Sequence, residues 1–106
     1  MTDSPASNGP LAGYRVVDLT TMLSGPMATC LLGDQGADVI KVESPGVGDL
    51  VRRLGAPRDG ITASFATINR NKRSVVLDMK ASADIEAFRK LVATADVVVQ
   101  LSLIHI

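Results

Sequence analysis

Four short apolar runs rich in β-branched residues recur along the chain, separated by stretches with helical spacing or by clusters of glycine and proline. The first, in "YRVVDL", is bounded by Gly13 and by Thr20 and Thr21, and its length and flanks predict a strand. A helix should follow, with Ser24 as its N-cap, Pro26 in its first turn, good helix formers through "MATCLLGDQ" and Gly36 as its C-terminal stop. "DVIKVE" predicts the second strand. The next segment, "SPGVGDLVRRLGAPRDG", holds two prolines and four glycines and reads as a long loop with one helical turn at "DLVRRL". "TASFATINR" fits either a short helix or irregular packing. "SVVLDM" predicts a third strand, and Ser82 then caps "ADIEAFRKLVATA", in which Ile85, Phe88, Leu91 and Val92 form one apolar helix face. "DVVVQ" predicts a fourth strand.

Strands that alternate with helices, each nearly continuous in Val, Ile and Leu, imply an α/β fold with a parallel sheet buried on both faces. Ligands in such folds sit beyond the carboxyl ends of the strands, which is where "VESPGVGD" falls. Residues 1–10 are rich in Ser, Pro, Asn and Gly and are expected to form a mobile tail. No repeat at a fixed period is evident.

Composition narrows the class without changing this picture. The chain has 106 residues, a formal net charge of zero, 46% hydrophobic residues and three aromatics, as in ordinary soluble globular sequences. No apolar run approaches the ~18 to 20 residues of a membrane span, and the polar, acidic start lacks the basic and apolar regions of a secretory signal. The expected address is the cytoplasm, without membrane partners. Cys30 is the single cysteine and lies among small apolar residues, the setting of a buried, reduced thiol.

Charge is distributed unevenly. Between residues 50 and 80 stand Arg52, Arg53, Arg58, Arg70, Lys72, Arg73 and Lys80 against Asp59 and Asp78. A basic segment between two strands suits an anionic ligand such as a phosphate, and equally a solvated surface loop. Nucleic acid is disfavoured, because stacking aromatics are nearly absent. "GVGD" is only part of a dinucleotide fingerprint and follows the second strand instead of the first, so a nicotinamide or flavin site is poorly supported. The helix that begins at Ser24, Gly25 and Pro26 offers backbone N–H groups to an anion or to a cap.

Candidates for acid or base chemistry are few. Asp18, at the carboxyl end of the first strand, suits a hydrogen bond to the following turn better than a catalytic part. Asp34, near a helix end, is expected to face solvent. His105 is the single histidine, and neither a Ser, His and Asp constellation nor metal-ligand spacing can be assembled.

Three separated motifs carry a resemblance: "LAGYRVVDLTTMLSGPMATCLLGDQGADVIKVESPGVGD", "FATINRNKRSVVLDMK" and "LVATADVVVQ" occur in the order and at about the spacing of the N-terminal region of family III CoA-transferases. That group includes formyl-CoA transferase, carnitine CoA-transferase and the related α-methylacyl-CoA racemase. The resemblance covers residues 11–100 and implies a Rossmann-like parallel sheet with flanking helices, the N-terminal portion of a larger domain.

The resemblance further implies transfer of CoA between carboxylic acids, with acyl-CoA and a carboxylic acid acceptor as substrates, no metal, and an interlocked homodimer of much longer chains. An aspartate attacks the thioester to give a mixed anhydride, and the acceptor then takes over the CoA. That aspartate lies beyond these 106 residues, so the chain alone is expected to be inactive and of marginal stability. Carried over by position, Thr21, Met22, Leu23 and Ser24 would line the CoA pocket, and Asn69, Lys72 and Arg73 would lie near its nucleotide end. Ser44 stands where some relatives place an arginine. Residues 101–106, "LSLIHI", depart from the polar turn, beginning with asparagine, that the resemblance leads one to expect, and read as a foreign ending. The rival readings are a racemase-type enzyme fragment and a non-catalytic CoA- or nucleotide-binding module.

Overall fold

The structure, a computed structural model, describes residues 8–101. Four parallel strands form its sheet: β1 (Arg15–Asp18), β2 (Asp38–Glu43), β3 (Lys72–Val76) and β4 (Val97–Val99). They lie in the order β3-β2-β1-β4. The helices are α1 (Ser24–Asp34), α2 (Ala63–Ile68) and α3 (Ser82–Ala93), with a 3-10 helix at Leu50–Arg53. The chain thus builds outward from β1 through β2 to β3 and returns by α3 to place β4 on the other side of β1. This reversal puts a crevice at the carboxyl ends of β1 and β4.

Glycine ends α1 as expected. Gly36 takes φ +105°, Ala37 N–H donates to Leu32 O and Gly36 N–H donates to Gly33 O, the paired bonds of a Schellman motif. "TASFATINR" contains a helix, α2, capped by the Thr62 hydroxyl, which accepts from Phe65 N–H.

Three expectations about element ends need correction. Ser24 does not cap α1; the capping position is Leu23 and no side chain fills it. Pro26 has no N–H to offer Ser24, and Met27 N–H already donates to Leu23 O. Ser82 does not cap α3 either, because Ala81 N–H bonds Asp78 O in a tight turn that leads into the helix, and Ala81 is the capping residue. Strand β3 begins two residues before "SVVLDM", since the ladder with β2 runs from Val39 opposite Lys72 to Glu43 opposite Val76. Lys72 and Arg73 are therefore strand residues, not loop residues.

The sheet is also less covered than a doubly buried one. Val16, Val17, Val39, Ile40 and Val42 are buried, whereas the edge strands β3 and β4 are partly exposed and α3 buries none of its residues fully. An open groove of about 400 Å³ separates α3 from the sheet, lined by Ile40, Val75, Leu77, Ala87 and Leu91 among others.

Of the stretch expected as a tail, residues 8–10 pack near the end of α1: a side chain on Gly9 would strike Gln35 O at 2.5 Å. Residues 1–7, residues 102–106 of the expected foreign ending, and His105 lie outside the described residues. Leu101 is described, and its Cδ1 would stand 2.8 Å from a Cβ on Gly25, at the mouth of the crevice.

Candidate functional site

Alternation along the strands sorts their side chains onto two faces. Asp18, Lys41, Glu43 and Lys72 point to the side that carries α1, and Asp38 and Arg73 point to the side that carries α3. The α1 side holds a buried polar network that begins at the end of β1.

Asp18 is fully buried. Its Oδ1 accepts from the Thr20 N–H at 2.9 Å and from the Thr20 hydroxyl, and its Oδ2 accepts from Thr29 Oγ1 at 2.8 Å and Lys72 Nζ at 2.9 Å. Burial alone would raise its carboxyl, yet the bonds from Thr20, Lys72 and Thr29 outweigh it and hold the pKa below the usual range. The Lys72 ammonium donates its two other protons to Pro26 O at 2.9 Å and Asn69 Oδ1 at 2.7 Å. All three of its N–H bonds are taken. Burial lowers its pKa, against the pull of Asp18.

A second cluster adjoins the first. Lys41 Nζ donates to Thr20 O at 3.1 Å and stands 2.7 Å from Asp49 Oδ2, a close ionic contact outside hydrogen-bond alignment. Asp49 Oδ1 accepts from Val51 N–H at 3.0 Å, capping the 3-10 helix, and from Met22 N–H at 2.9 Å. Glu43 accepts from Asp49 N–H and Ser74 Oγ and receives both Nε and Nη2 of Arg52. The Arg52 bonds pull its pKa down to about 2. Arg52 also lies over the Phe65 ring, 3.7 Å from its centroid, which ties the loop after β2 to α2.

These contacts redistribute the basic segment. Arg52 pairs with Glu43, Arg70 with Asp34, Lys72 with Asp18 and Arg73 with Asp38. Arg53, Arg58 and Lys80 make no ion pair among the described residues and are exposed. Asp34 is exposed, as expected, and there it anchors Arg70 and Asn71 Nδ2.

The residues singled out in the sequence separate into two groups. Thr21, Met22, Leu23 and Ser24 form an exposed turn that opens α1, beside the crevice of β1 and β4. With no side chain capping the helix, the amides of its first turn lack intrahelical acceptors. Met22 holds a left-handed φ of +71°, a conformation that costs a non-glycine residue about 1–3 kcal/mol. Asn69 and Lys72 join each other, Lys72 also bonding Pro26 O in the first turn of α1, and Asn69 Nδ2 is buried with no hydrogen-bond partner among the described residues. Arg73 goes elsewhere, onto Asp38 on the opposite face. Lys41 and Asp49 drew no notice in the sequence. The available signal was a lysine and a glutamate two apart inside a buried strand, which require partners nearby.

Among the described residues no cluster of His, Cys, Asp or Glu could hold a metal ion, and no helix is long and apolar enough to cross a membrane.

Residues 11–102 match CoA-transferase family III. The chain belongs to that family. It is similar to the succinate–glutarate CoA-transferase of Agrobacterium fabrum, 47% identical over 94% of this chain and 27% of that protein. It is also similar to the succinyl-CoA:glutarate CoA-transferase of Homo sapiens, 44% identical over 86% of this chain and 21% of that one. Among solved structures, a CAIB/BAIF family protein from Brucella suis superposes with a TM-score of 0.79 at 46% identity, over 86% of this chain and 25% of its own. The chain thus spans about a quarter of the length of the relatives it matches.

Proposed function

We propose that this chain forms the CoA-binding N-terminal part of a CoA-transferase that moves CoA between carboxylic acids. The observation that carries the proposal is the uncapped start of α1, with Thr21, Met22, Leu23 and Ser24 exposed at the sheet's switch point. Amides at a helix start favour the negative charge of CoA phosphates, and the exposed Met22 and Leu23 side chains suit its apolar pantetheine arm. Lys72 is neutralised by Asp18 and all its protons are engaged, one of them by Pro26 O, so its part is to scaffold the first turn of α1. Arg73 serves the sheet instead of the ligand.

The acyl groups in the names of the relatives, succinyl, glutarate, malate and mesaconate, point to a dicarboxylic donor and acceptor. The chemistry is attack of a carboxylate on the thioester carbonyl: a C–O bond forms, the C–S bond breaks, and the CoA thiolate leaves with the electron pair. A mixed anhydride results, from which the acceptor acid gains CoA through further acyl exchange. The family resemblance implies that this carboxylate comes from outside these residues.

Titration calorimetry of the chain with CoA, alongside exchange of label between succinyl-CoA and glutarate, tests this reading. Binding with a Kd of about 1 mM or tighter, without exchange, is expected. Absence of binding would sink the CoA site, and exchange by the chain alone would sink the assignment of the nucleophile elsewhere.

A further inference from the structure

We propose that Asp49, braced by Lys41, is the positioning residue that sets the ligand-facing turn; the ligand in question rests on the CoA reading above. Asp49 sits in the loop after β2, 27 residues from Met22, and reaches the turn through a bond that no local pattern requires. Its Oδ1 takes the Met22 N–H at 2.9 Å while Met22 is in the left-handed region. Lys41 holds the preceding carbonyl, Thr20 O, and the other Asp49 oxygen. The turn is therefore gripped on both sides of Thr21 by one buried ion pair, whose side chains are 1% and 0% exposed.

The grip has a direction. With its N–H drawn inward to Asp49, Met22 turns the chain so that Leu23 enters a helical conformation one residue early. Ser24 is then inside the helix and cannot cap it. The first amides of α1 consequently stay open to an external acceptor. Asp49 thus acts on the ligand through the backbone at residues 22–24, without touching it. The same carboxylate caps the 3-10 helix through Val51 N–H, so the loop after β2 and the first turn are fixed by one group.

Two double variants of the chain separate this role from simple support of the fold. Lys41→Met with Asp49→Asn removes the buried charges but keeps an oxygen acceptor for Met22 N–H; Lys41→Met with Asp49→Ala removes both. Amide hydrogen exchange and CoA titration are read on each. The Asn variant is expected to keep Met22 protected and CoA affinity within about threefold of the parent, and the Ala variant to lose about tenfold in both, as for one charge-assisted bond. Equal protection of Met22 in the two variants would overturn the proposal. Should the Ala variant not fold, the unaltered chain still decides: a scalar coupling from Met22 N–H to the Asp49 carboxyl carbon is expected, and its absence overturns the assignment. Failure of the parent to bind CoA, with Met22 protection still dependent on residue 49, would defeat the ligand reading and leave the positioning role standing.

Discussion

Lys72 Nζ lies 2.9 Å from Asp18 Oδ2, with both side chains almost wholly buried, so a charge on β3 meets a charge on β1 across the strand between them. Its neighbour in sequence, Arg73, pairs with Asp38 on the other face, with more than half of its side chain exposed. Removing one partner of a buried pair strands the other charge, whereas a surface pair contributes little. Lys72→Ala is expected to destabilise the chain by about 3–5 kcal/mol and Arg73→Ala by about 0–1 kcal/mol. Urea unfolding checks this, and equal costs would contradict the division of roles.

Acid should act through Glu43. Its pKa falls from an ordinary 4.5 to about 2, chiefly through Arg52. A depressed carboxyl contributes stability that is present above the unfolded value and is lost as pH falls through the folded one. The melting temperature is expected to hold from pH 7 to 5 and to fall between about pH 4.5 and 2. Arg52→Gln should flatten that fall while lowering stability at neutral pH; an unchanged acid limb in the variant would count against the assignment. A residual slope from Asp18, also depressed, is expected to remain.

Gly48 shows how tightly the loop after β2 closes on the same carboxylate. It has φ +67°, and a Cβ there would stand 2.7 Å from Glu43 Oε1. Gly48→Ala therefore combines backbone strain with displacement of the Glu43–Arg52 pair and is expected to cost at least about 1–3 kcal/mol. Gly46, with φ +83° and open space around it, should show the strain alone. Chemical denaturation of both variants tests this, with Gly48→Ala the more damaging.

Ser24→Ala is expected to change stability by no more than about 0.5 kcal/mol, since the hydroxyl makes no capping bond. A loss near 1 kcal/mol, the usual cost of a lost cap, would show that Ser24 does cap α1. Thr62→Ala, which removes the cap of α2, provides the comparison.

Cys30 has no exposed surface, and its sulfur sits 3.9 Å from the carbonyl oxygens of Thr67 and Arg70. Its reaction with a water-soluble disulfide reagent should be slow in the native chain and rapid in denaturant. Fast labelling without denaturant would mean that the contact between α1 and the C-terminal end of α2 opens readily.

Much of this molecule is legible residue by residue. The valine runs define the strands, the apolar stripe of α3 its helix, and Gly36 the end of α1, because each signal acts over only a few neighbours along the chain. The motifs that carry the family resemblance are likewise contiguous, and they mark the turn at residues 21–24. Faces, partners and register are a different matter. That Lys72 turns inward and Arg73 outward follows from where β3 enters its ladder with β2, two residues earlier than the apolar pattern indicates. That Lys41 and Asp49 grip the turn follows from contacts across 21 and 27 residues of chain. Local propensity and spacing were enough to mark the strands, the two longer helices and their order, and the motifs carried the family resemblance. Which charges are buried together depends on the assembled sheet, because a buried charge is stable only beside its partner and the strand order chooses that partner.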